Sequence, residues 1–71
     1  MKTSLTEREK NVLFYVAKGD VNSEIAAKLN ISVHTVKAPL EAIYDKFGVR
    51  NRVQATIKAV ILGLIDINIL M

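Results

Sequence analysis

Cysteine is absent from this chain of 71 residues. Disulfides and thiolate metal sites are excluded with it, and nothing asks for an oxidising compartment. One proline and three glycines are too few for a loop-rich or disordered chain. His34 is the single histidine. A histidine-based zinc site therefore lacks its parts, and acid–base catalysis has little to work with. No glycine-rich phosphate loop occurs. The apolar stretch from Val53 onward is interrupted by Lys58 and Asp66. It falls short of the ~20 consecutive apolar residues of a membrane helix. The N-terminal stretch MKTSLTEREK is polar and does not read as a signal peptide. The expectation is a cytoplasmic, non-enzymatic protein with no membrane span, metal, cofactor or small-molecule ligand.

What is present is apolar material for one small core: 51% of residues are hydrophobic. The length allows one domain, residues 1–71, with a core over about 4–65 and an apolar tail over 66–71. Net charge is +3. Met1–Val21 carries +1, Asn22–Arg52 carries +2 and Val53–Met71 is neutral. The excess leans weakly toward a polyanionic partner and lies around the middle of the chain.

Helix signals punctuate the whole sequence, and the fold class they predict is all-α, a compact domain of four helices. Thr6-Glu7-Arg8-Glu9 fits a capping box that opens the first helix. Val12, Leu13 and Val16 form its inward face, with Tyr15 beside it, and Lys18-Gly19 close it. Phe14 points away from Val12, which predicts cover by the N-terminal arm or partial exposure. Asn22 or Asp20 caps the second helix, whose buried edge is Ile25, Ala26 and Leu29. The third helix spans 33–47. Ser32 caps it, Val36, Leu40, Ile43 and Phe47 form one stripe at helical period, and Gly48 ends it. Asn51 caps the fourth helix, with Gln54 three residues on. That helix runs from Arg52 to about Leu62, and Gly63 ends it. Leu64 to Met71 reads as one loose turn or an extended tail.

The second and third helices are joined by a turn of about three residues, a helix-turn-helix pattern. Such a unit places its second helix in the major groove of DNA. The side of the third helix opposite its apolar stripe carries His34, Ala38, Glu41 and Asp45, with Lys37 on the flank. Ser32, His34 and Thr35 crowd a helix N-terminus, where free backbone N–H groups favour phosphate. Lys28, Lys37, Lys46, Arg50 and Arg52 lie close enough in sequence to neutralise phosphates around it. Ile57, Val60, Ile61 and Leu64 share one face of the fourth helix. Part of that face is expected on the core and the rest at a dimer seam.

From about Ser4 to Leu64 the chain resembles the LuxR/FixJ-type helix-turn-helix domains. The resemblance is carried by Leu5-Thr6-Glu7-Arg8-Glu9, Asn22 with Glu24-Ile25-Ala26, and Leu29-Asn30-Ile31-Ser32. It continues through His34-Thr35-Val36-Lys37, Ile43-Tyr44 with Lys46, and Gly48-Val49-Arg50-Asn51-Arg52. It implies a DNA-binding transcription-regulatory domain, either a response-regulator output or a stand-alone regulator. The third helix would read double-stranded DNA and the fourth would supply a homodimer contact. Lys37, Ala38 and Glu41 would then face bases. Thr35, Lys46, Arg50 and Arg52 would meet phosphates, with Lys28 and His34 as weaker candidates. Ile57, Val60, Ile61 and Leu64 would form the dimer contact.

The departures lie in the reading helix. Lys37-Ala38-Pro39-Leu40 stands where the family commonly shows Lys-x-His-Leu, Glu41 where a basic or polar reader is common, and Ala42 where Asn is common. Proline inside a helix removes one hydrogen bond and clashes with the carbonyl four residues back, here Thr35. A kink near Thr35 is the first expectation; a helix that starts late at Pro39, or packing that absorbs the cost, are the others. The same departures support a second reading, a scaffold that has lost sequence-specific DNA reading and serves as a protein-interaction or dimerisation module.

Overall fold

A computed structural model describes residues 4–71. It contains α1 (Glu7–Ala17), α2 (Asn22–Leu29), α3 (Val33–Phe47), α4 (Arg52–Ile61) and a terminal 3₁₀ turn, Ile67–Leu70. The Cα radius of gyration is 11.2 Å, close to the ~11 Å of a packed chain of this length.

Each helix starts on a local hydrogen bond. Thr6 caps α1 reciprocally with Glu9: the Glu9 N–H donates to Thr6 Oγ1 at 3.1 Å, and the Thr6 N–H donates to Glu9 Oε1 at 3.0 Å. The Ser32 hydroxyl accepts from the Thr35 N–H at 3.2 Å, and the Asn51 amide oxygen accepts from the Gln54 N–H at 2.9 Å. At α2 the sequence expectation is corrected. Neither Asn22 nor Asp20 caps it; Val21 holds the cap position, and its N–H donates to Glu24 Oε1 at 2.9 Å. The polar groups of Asp20 and Asn22 are engaged elsewhere. Lys28 Nζ donates to Asp20 Oδ2 at 2.7 Å, and Arg52 donates to the Asp20 carbonyl at 2.9 Å and to Asn22 Oδ1 at 2.6 Å. The guanidinium at the start of α4 thereby ties down the start of α2.

The core forms where the apolar stripes meet. Val12, Leu13 and Val16 of α1, Ile25 and Ala26 of α2, and Val36, Leu40, Ile43 and Phe47 of α3 are all buried. The stripes predicted for α1 and α3 are the ones observed, and in α2 Leu29 is half-buried. In α4 the core edge is Ala55 and Ala59, both fully buried, which lies opposite Ile57 and Ile61. Of the face expected to be shared between core and seam, only Val60 packs partly on the core. Small residues let α4 lie close against its neighbours.

Pro39 sits inside α3 without interrupting it. The helix begins at Val33, so the late start is overturned, and the helix assignment runs unbroken past Thr35. The tail also departs from an open extension. Ile65 is buried in the core, and the N–H groups of Leu64 and Ile65 both donate to the Ala59 carbonyl. Ile67-Asn68-Ile69 belongs to the 3₁₀ turn, whose start Asp66 caps through the Asn68 N–H at 2.9 Å. Phe14 is half-buried. It meets Tyr15 edge-on at 5.2 Å and borders an open, apolar hollow of 450 Å³ with Leu5, Leu64, Ile65 and Ile69. Both ends of the described chain thus flank it, while the first three residues of the N-terminal arm lie outside the described residues.

Candidate nucleic-acid interface

The turn between α2 and α3 decides how α3 is presented. Asn30 adopts a left-handed conformation at φ 58° and ψ 46°, which Asn tolerates better than other side-chain-bearing residues. The Ile31 N–H reaches back to the Ala26 carbonyl at 2.9 Å and closes α2. Ser32 then starts α3, with Ser32 Oγ and Thr35 Oγ1 at 2.7 Å. The N-terminus of α3 is exposed from Ser32 through Thr35. Its free N–H groups and the positive end of the helix dipole therefore face solvent, where an anion can approach.

The buried stripe Val36–Leu40–Ile43–Phe47 fixes the rotation of α3 about its axis. Its outward edge is then His34, Lys37, Ala38, Glu41 and Asp45, every one exposed. Among the described residues Lys37, Glu41 and Arg50 form no ion pair. These are side chains with donors or acceptors free for a partner.

The other cations are held within the molecule. Lys46 Nζ lies 2.6 Å from Glu9 Oε1 and donates to the Ser4 carbonyl at 3.2 Å. Burial by itself pushes the Glu9 carboxyl up. The Lys46 ammonium and the Thr6 backbone and hydroxyl more than offset this, and the carboxyl lies below its ordinary range. Glu9 was not foreseen as a buried residue; its only sequence signal was its place in the capping box. Lys28 pairs with Asp20 and lies 5.2 Å from the centre of the Tyr15 ring. The hydrogen bond to Asp20 raises its ammonium above the ordinary value. Arg52 bridges to the start of α2. His34, Lys37 and Arg50 thus stand as open contacts, Thr35 is exposed but hydrogen-bonded to Ser32, and Lys28, Lys46 and Arg52 are cations that already hold a fold contact.

A second surface lies on α4. Val53, Ile57 and Ile61 are 65%, 54% and 73% exposed, and Leu64 beyond the helix is 46% exposed. They continue one apolar face away from the Ala55–Ala59 edge. Among the described residues no group of three His, Cys, Asp or Glu is arranged to hold a metal ion. Among them, too, no helix is long and apolar enough to cross a membrane.

A family model described as bacterial regulatory proteins, luxR family, matches residues 3–59. The chain is 51% identical over 53 residues to the nitrate/nitrite response regulator protein NarP of Escherichia coli (strain K12), covering 75% of this chain and 25% of that protein. It is 46% identical over 55 residues to the response regulator protein VraR of Staphylococcus aureus (strain NCTC 8325 / PS 47), covering 78% of this chain and 26% of that one. The chain spans about a quarter of the length of the curated relatives it matches.

Proposed function

The chain belongs to the luxR family of bacterial regulatory proteins and is a DNA-binding transcription-regulatory domain; from that premise we propose that it reads the major groove with α3, as a homodimer in the cytoplasm. The observation that carries this reading is the outward edge of α3. It is fully exposed, rigidly rotated by four buried residues, and headed by an open helix N-terminus. Lys37, Ala38 and Glu41 face base edges. Thr35, His34 and Arg50 take phosphates, and the fold-bound cations Lys28, Lys46 and Arg52 add field near the same strands. A lysine ammonium has three donors, and Lys46 uses two of them within the molecule.

The dimer contact runs through Ile57, Val60, Ile61 and Leu64. Residues 1–71 act as one domain, with Ile65 and the terminal turn as part of its working unit. No cofactor or small-molecule ligand enters this function. Family membership favours DNA reading over a protein-interaction scaffold that has lost it.

The test is selection of bound duplexes from a random pool by the protein, at low and moderate salt. Enrichment of a site with two related half-sites is the expected outcome. Retention without enrichment overturns the base-facing role of α3. Lys37→Ala should weaken binding about tenfold, since a charge-assisted contact contributes ~1.5 kcal/mol or more. Unchanged affinity removes Lys37 from the interface.

A further inference from the structure

The outward edge of α3 changes sign along its length. Its N-terminal half presents Ser32, His34, Thr35 and Lys37, and its C-terminal half presents Glu41 and Asp45. The last turn of a helix is already negative, and Asp45 there repels phosphate; Glu41, at mid-helix, adds a second negative charge to this edge. The helix must therefore enter a groove by its first half, with Glu41 at the base edges and away from the strands. Lys37 and Glu41 stand at the i,i+4 spacing of an intrahelical ion pair, yet they form none. Ala38, beside Lys37 on this edge, is a single methyl group and permits close approach.

A free carboxylate carried into a groove loses water and must find donors. In the major groove the exocyclic amino groups are the available donors. Guanine presents two acceptors and thymine an acceptor and a methyl group, which offer a carboxylate nothing. Adenine pairs its amino group with an adjacent N7 acceptor, which repels one carboxylate oxygen. The cytosine amino group alone matches. We infer that Glu41 is a specificity-determining residue that selects cytosine through its N4 amino group, near a guanine taken by Lys37. Four residues of helix rise ~6 Å, so the two bases lie within about two base steps at ~3.4 Å per step. This inference rests on the DNA-reading function proposed above.

The experiment compares the unaltered protein, Glu41→Gln and Glu41→Ala in the same duplex-pool selection, followed by affinity measurement on the enriched site and its single-base variants. The unaltered protein should prefer cytosine at one position by about tenfold, the scale of one good base contact. Glu41→Gln should move that preference to adenine, because an amide pairs with N6 and N7 together. Glu41→Ala should lose selection there and keep it elsewhere. Glu41 is exposed, so all three should melt alike. A Glu41→Ala protein that binds every sequence more tightly, with no base selected at that position beforehand, makes the carboxylate a repulsive bystander and overturns the assignment alone. An unaltered protein that enriches no site overturns the DNA-reading function and this inference with it.

Discussion

Pro39 is the residue most at odds with its place. Its missing N–H leaves the Thr35 carbonyl without its i+4 donor, yet α3 stays helical from Val33 to Phe47. Val36 and Ile43 are fully buried and Leu40 and Phe47 nearly so; burying these four side chains is worth ~1.5–3 kcal/mol each, more than the proline costs. Pro39→Ala should therefore raise stability. Intrinsic propensity, which already includes the freedom of the unfolded chain, puts the gain at up to ~3 kcal/mol. A urea midpoint shift corresponding to up to ~3 kcal/mol at unchanged slope is the expected result, and no shift would mean that the helix already accommodates the ring without cost. Glu9 sets a different test at this scale. Its carboxyl lies below its ordinary 4.5 in the folded protein. A depressed carboxyl contributes stability that is complete above the unfolded value and is lost as pH falls through the folded one. Stability should thus decline below about pH 4.5, and Glu9→Gln should flatten that decline while lowering stability at neutral pH. Urea unfolding of both proteins from neutral pH down to about pH 3 checks it.

At the scale of elements, the sequence was most legible where a helix announces itself twice, by a cap and by a stripe. For α1 and α3 both signals agree, and the buried apolar residues of those helices follow from the period; buried Glu9 of α1 does not. The outward edge of α3 was readable for the same reason, since fixing the buried side fixes the opposite one. α4 was not readable in this way. Ile57, Val60 and Ile61 outrank Ala55 and Ala59 in apolarity, so periodicity favours the wrong edge for the core. Close packing reverses the order, because the space beside α1 and α3 admits only small side chains there. Ala59→Leu should overpack this contact and cost ~1–3 kcal/mol, whereas Ile61→Ser, at an exposed site, should stay within about 0.5 kcal/mol. Thermal melts of the two variants at dilution, where the chain is monomeric, separate the edges; equal effects would contradict the packing described. Which cations are free was also hidden. Lys46 finds Glu9 at a sequence separation of 37 residues, and Arg52 finds Asn22 at 30. No local pattern reports such partners, so Lys46 and Arg52 read as phosphate contacts on a par with Arg50 although both are already engaged.

At the scale of the whole molecule, a small charge and an uncovered apolar face must be reconciled with a DNA-binding role. A net charge of +3 gives little long-range attraction, so affinity has to come from few local contacts, and the proposed pairing of two copies would add to them. Each neutralised phosphate contributes about −0.9 to the slope of log affinity against log salt. Arg50, exposed and without an ion pair among the described residues, should contribute one such contact per protomer. Arg50→Ala should then make the slope shallower by ~1 per half-site without changing the preferred sequence. The proposed second copy would meet this one at α4. Val53, Ile57, Ile61 and Leu64 leave one continuous face in water, and two such faces can cover each other about a twofold axis. Two domains so joined would address half-sites about one helical turn apart, ~10 base pairs. Ile61→Asp should break the pairing, since a carboxylate at a self-facing seam meets its own copy. Sedimentation should show the unaltered protein associating with concentration and the variant staying monomeric. Affinity for a two-half-site duplex should fall steeply in the variant, and affinity for a single half-site should hardly move. The contrast between the two duplexes matters, because a variant that merely unfolded would lose both. An unaltered protein that stays monomeric at high concentration and on two-half-site DNA would assign the α4 face to a different partner.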